Sequence, residues 1–101
     1  AALPLETTVP GLADTLRHGD LVERRLAIQA LGRFGPAAAD AVPALIETLD
    51  DEITWMRSDA AMALGQIGPA AEAAVPALTA IQDEKVVGFY AKRALKQIAE
   101  R

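Results

Sequence analysis

A 33-residue period runs through the chain and restricts it to architectures in which one supersecondary unit stacks on copies of itself. Val9-Pro10-Gly11-Leu12 returns as Val42-Pro43-Ala44-Leu45 and again as Val75-Pro76-Ala77-Leu78, each step 33 residues. A second block, Ala30-Leu31-Gly32-Arg33-Phe34-Gly35-Pro36, returns in the same register as Ala63-Leu64-Gly65-Gln66-Ile67-Gly68-Pro69. Its third copy, Ala94-Leu95-Lys96-Gln97-Ile98, follows after only 31 residues, so the third unit has lost two residues near its turn. The chain therefore divides into repeats of about 9–41, 42–74 and 75–101 behind an N-terminal extension, 1–8, all within one domain spanning 1–101.

Each unit reads as two helices. The first opens at the Val-Pro pair, where proline sacrifices no needed N–H and already has a helical φ. Val42, Leu45, Ile46 and Leu49 then follow the stripe of a helix that buries one face. Acidic residues mark the turn, as Asp50-Asp51-Glu52 and Asp83-Glu84, and Asp20 with Glu23 has capping-box spacing. The second helix of the middle unit carries Met56, Ala60, Ala61, Ala63, Leu64 and Ile67, and stops at Gly68-Pro69. No alternating run supports a strand. Alanine, 22 of 101 residues, favours helix as well. The expected fold is all-α: a solenoid of three stacked antiparallel helix pairs, because a pair this short cannot bury its stripe alone.

The pattern resembles HEAT repeats, in particular the short, Ala-rich type of the phycobilisome lyases, over residues 9–101. The resemblance implies a right-handed superhelix and structural roles for Asp51 at the turn and Arg57 six residues later, with Arg24 equivalent in the first unit. Gly88 stands at that place in the third unit, so an Asp–Arg ladder is expected to break there. The resemblance also implies that the second helices line the concave side.

Chemistry-bearing residues are sparse. No cysteine is present, which excludes disulfides, thiolate metal sites and cysteine nucleophiles. The one histidine, His18, sits in a turn without the ligand spacing a metal needs, and the paired His-Glu motifs of the di-iron HEAT-like enzymes are absent. The one serine, Ser58, has no histidine placed to act as its base. Gly-Pro pairs are helix punctuation, and no glycine-rich phosphate loop occurs. The reading is a non-enzyme with no cofactor and no metal. No run of about 18 apolar residues offers a membrane span. The chain opens at Ala1 without a basic-plus-apolar leader, and processing, or excision from a longer protein, is the expectation.

Charge is sorted by element. Second helices taken as 21–33, 53–67 and 85–101 hold nine of the ten basic residues and three acids, a net +6, against −10 on the rest of a chain whose total is −4. Large side chains collect on the same helices. The expected partner-binding residues are Arg25, Gln29, Trp55, Ser58, Met62, Phe89, Tyr90 and Arg93, with Trp55, Met62 and Phe89 as apolar anchors and the arginines facing carboxylates. At the ends, Leu3 and Leu5 are expected to lie over the first pair, Lys96 stands where the earlier units have Gly32 and Gly65 and the last helix runs on without a Gly-Pro stop, and any apolar end face would favour self-association.

These features point to a protein–protein interaction scaffold that takes an acidic or mixed peptide or protein surface on its concave face. Alternatives are a nucleic-acid-binding HEAT-like module, disfavoured by a pI near 4.8, an accessory subunit of a lyase-like enzyme, or a structural segment of a longer solenoid.

Overall fold

The structure, a computed structural model, describes residues 8–100; the placement expected for Leu3 and Leu5 lies outside them, as does Arg101. Six α-helices follow one another: α1 (Val9–His18), α2 (Leu21–Phe34), α3 (Val42–Thr48), α4 (Thr54–Ile67), α5 (Val75–Ala80) and α6 (Lys85–Ala99). Two 3-10 segments, Gly35–Ala41 and Gly68–Ala74, lead into α3 and α5, and no strand occurs among the described residues.

The local signals act where the sequence puts them. α1, α3 and α5 each begin at the Val-Pro pair with proline in the first turn. At the start of α2 the capping box closes: Asp20 Oδ1 accepts from Glu23 N at 2.8 Å, and Glu23 Oε1 accepts from Asp20 N at 2.9 Å. α2 and α4 end at Gly35 (φ 59°) and Gly68 (φ 77°), a backbone conformation that a side chain would strain.

The Gly-Pro pairs do more than stop a helix. Pro36 and Pro69 also open the 3-10 segments, since the proline that cannot extend one helix is already set for the first turn of the next. Ala38 (φ −92°, ψ 15°) and Ala71 (φ −96°, ψ 21°) interrupt these segments, so the outer rod of each later unit is bent. Ala38, Ala41, Ala71 and Ala74 are buried there, which alanine alone among helix formers is small enough to allow so close to the chain.

The helices form two layers. α1, α3 and α5 each pack on their own second helix, while α2, α4 and α6 lie side by side in that order, and the molecule measures 43 × 31 × 16 Å. Small residues set the spacing of the second helices. A Cβ on Gly32 would come within 3.3 Å of Ala63 Cα, and one on Gly65 within 3.0 Å of Ala94 Cα. Ile28, Leu31, Leu45, Leu49, Met56, Leu64, Ile67 and Leu78 are buried in one apolar core. Each such side chain contributes about 1.5–3 kcal/mol by leaving water.

Candidate functional site

Arginines join one unit to the next. Arg24 donates through Nε to the Leu16 carbonyl (3.0 Å) and through Nη2 to Asp51 Oδ2 (2.6 Å). Arg57, one period later, donates to the Asp51 and Glu52 carbonyls (2.9 and 3.3 Å) and pairs with Glu84 at 3.1 Å. Each guanidinium thus satisfies carbonyls left open around the preceding turn and ties them to the acid of the following unit. Burial pushes the Asp51 carboxyl up, but the Ile53 N–H and the Arg24 and Arg57 guanidiniums outweigh it and hold it below the ordinary carboxylate range. On the outer layer Arg17 and Glu47 make a two-pronged pair at 3.2 and 3.1 Å.

The expected break at Gly88 has a steric cause. Shortening the third turn lays the Gln82 backbone against α6, and a Cβ at residue 88 would overlap the Gln82 carbonyl. The ladder therefore ends at Glu84.

Between α2 and α4, Arg25 lies with its guanidinium 5.0 Å from the Trp55 ring centroid and its Nε 3.3 Å from Asp59 Oδ2. The ion pair lacks hydrogen-bond geometry, and Asp59 Oδ2 is buried without a hydrogen-bond partner. Burial raises the Asp59 carboxyl above its ordinary value, and Arg25 offsets this only in part. Arg25 and Asp59 form the wall of a cleft of about 330 Å³ that Gln29, Arg33, Met62 and Gln66 also line. On its other side Trp55 borders an apolar recess of about 270 Å³ with Leu21, Val22 and Leu26.

Helical phase decides which expected site residues come together. On α4, Ser58, Ala61 and Gly65 share the flank toward α6, while Met56, Asp59, Ala63 and Ile67 share the flank toward α2. Trp55, Met62 and Gln66 take the remaining, open face. Ser58 was expected there, and the structure corrects this: it is 6% exposed, because its position faces the next second helix. Tyr90 is a second correction. It occupies the flank of α6 toward α4, is half-buried and packs against the core.

Phe89 is exposed but belongs to a different surface. It shares a flank with Lys92 and Lys96 that no described helix covers, and lines a cleft of about 620 Å³ with Lys85, Arg93 and the shortened turn. Its ring meets Tyr90 edge-on at 5.2 Å. The open second-helix face therefore keeps Gln29, Trp55, Met62 and Arg93, joined by Arg25 at its edge. Exposed Leu26 (60%) and Phe34 (45%) were missed by the sequence reading; subtracting 33 from Asp59 and Ile67, which face a neighbour, points to both.

The charge asymmetry survives in altered form. Arg24, Arg25 and Arg57 are consumed by Asp51, Asp59 and Glu84. Arg33, Lys85, Lys92, Arg93 and Lys96 make no ion pair among the described residues, so unpaired positive charge shifts toward α6. His18 is exposed beside Asp14 at 3.7 Å, and no cluster of His, Cys, Asp or Glu able to hold a metal occurs among the described residues. No helix among them is long and apolar enough to cross a membrane.

Two-layer stacking, a common register and the arginine ladder are the marks of one repeat class, and the family model for HEAT repeats matches residues 9–99. The chain belongs to the HEAT-repeat family. The match is to HEAT repeats at large and does not extend to the phycobilisome-lyase type. No curated protein matches the chain. HEAT repeats generally serve as protein-interaction scaffolds, and the family is typically non-enzymatic.

Proposed function

We propose that this HEAT-repeat chain is a non-catalytic scaffold whose second-helix face binds an acidic or mixed segment of another protein. One observation carries the reading. Trp55 (38% exposed), Met62 (39%) and Val86 (60%) stand on the open face of α4 and α6, interleaved with Arg33 and Arg93, which have no acidic partner among the described residues. Aromatic, Met and Arg side chains are the types that dominate binding energetics. Because the helices are held by the core and the ladder, little ordering entropy opposes docking.

Arg25 plays a different part from Arg93. Its charge is committed to Asp59 and its plane to Trp55, so it positions the indole rather than reaching for a ligand carboxylate.

An array of fluorescently labelled acidic-apolar peptides, read by anisotropy and repeated over a salt series, tests the proposal. Binding that weakens with salt, and by about tenfold in an Arg33→Glu, Arg93→Glu double variant, is the expected result. Affinity unchanged by both substitutions would remove the electrostatic part, and binding unaffected by Trp55→Ala would move the site elsewhere.

A further inference from the structure

The same flank of the second helix meets different surroundings at successive repeats. On α4 it consists of Met56, Asp59, Ala63 and Ile67, and α2 covers it: Met56, Ala63 and Ile67 are at most 2% exposed. On α2, 33 residues earlier, it consists of Glu23, Leu26, Ala30 and Phe34. Here Leu26 is 60% and Phe34 45% exposed, with half-buried Ala30 between them. An interface stripe repeated twice inside the molecule is left open a third time among the described residues.

The opposite end is poorly suited to fill it. Gly32 and Gly65 sit where neighbouring second helices approach most closely, and Lys96 occupies that position on α6. A helix of this kind seated on α6 would have to displace the exposed Lys96 and Lys92 ammonium groups from the contact, which disfavours head-to-tail stacking of copies. A foregoing repeat of the same register is disfavoured too. The acid that receives each arginine, Asp51 or Glu84, is replaced at the first turn by His18, which faces Asp14.

From these features we infer that the open flank of α2 joins two copies of this chain, head to head, about a two-fold axis passing near Ala30. Antiparallel α2 helices place Leu26 against the partner's Phe34 and the small Ala30 against the partner's Ala30. Close approach at the centre and apolar pairs on either side result, the arrangement a self-complementary interface requires. No charged side chain interrupts the stripe; the nearest on it, Glu23, is held in the capping box at its edge. With the axis across the helices, both open second-helix faces point the same way, so the dimer doubles the length of the proposed binding wall.

Sedimentation of the 101-residue chain over a concentration series tests this, with single-cysteine variants made clean by the absence of native cysteine. Expected are a concentration-dependent dimer, a disulfide-linked dimer on mild oxidation of Ala30→Cys, and none with Lys96→Cys. Two Cα atoms must lie within about 7 Å to be bridged, so the cross-link reports the axis itself. Leu26→Glu with Phe34→Glu should raise the dimer dissociation constant about a hundredfold while helicity, read by circular dichroism, is retained. A chain that stays monomeric up to about 1 mM overturns the inference. So does a mixed Ala30→Cys with Lys96→Cys cross-link, which requires head-to-tail contact.

Discussion

Arg24 Nη2 lies 2.6 Å from Asp51 Oδ2, across the junction between the first and second helical pairs. Both side chains are about four-fifths buried, so the pair is largely shielded from solvent. Asp51→Asn is expected to cost about 2 kcal/mol at neutral pH. The ionised carboxylate is favoured in the folded chain, so its stabilisation is complete above the ordinary carboxyl pKa of about 4 and fades as pH falls through the lower folded value. Urea titrations from pH 7 to pH 2 should show the variant losing its disadvantage along the acid limb. A pH-independent difference would assign the effect to packing.

Asp59 has the opposite sign. Burial raises its carboxyl, so the folded chain resists ionisation, and stability declines as pH rises from about 4 through the folded value. Asp59→Asn should therefore stabilise the protein at pH 7 and leave it unchanged near pH 3. Destabilisation at pH 7 would show that the Arg25 pair outweighs burial.

Two glycines in one helix and its cap separate packing from backbone strain. At Gly65 a Cβ would meet Ala94 Cα at 3.0 Å, and Gly65→Ala should cost about 1–3 kcal/mol by prising α4 from α6. Gly68 has nothing within 4 Å but a φ of 77°, so Gly68→Ala should cost about 1 kcal/mol through conformation alone. Ala94→Gly in the same chain should restore part of the first loss and none of the second, as denaturation midpoints will show.

Arg25 and Trp55 invite a double-variant cycle. A coupling of about 0.5–1 kcal/mol is expected from the guanidinium over the indole. Removing Arg25 should also shift the emission of Trp55, the one tryptophan, to the red as the ring gains water. Additive losses with an unmoved spectrum would mean that the two side chains act separately.

The period made most of this fold legible. Val-Pro starts and Gly-Pro stops follow from comparing one unit with the next, the Asp20–Glu23 box from its local spacing, and the roles of Asp51, Arg24 and Arg57 from the resemblance to HEAT repeats. The candidate site was read less completely, for a geometric reason. Ser58, Tyr90 and Phe89 are separated from Trp55 by which neighbour their flank meets, and a stripe read within one unit does not distinguish the flank toward the following repeat from open solvent. Nor did summing charge by helix reveal that Arg24, Arg25 and Arg57 are spent on acids of adjoining elements. The 3-10 segments escaped because alanine runs fit several helical forms equally well.

α4 is the one second helix with a described neighbour on each side. Opening its amides to solvent requires disrupting two junctions, whereas α2 and α6 can each unzip by losing one. Hydrogen exchange should accordingly be slowest along residues 56–67 and quicken toward either end. Trp55 and Met62, mounted on this slowest segment, would keep their spacing even while the terminal hairpins transiently come apart.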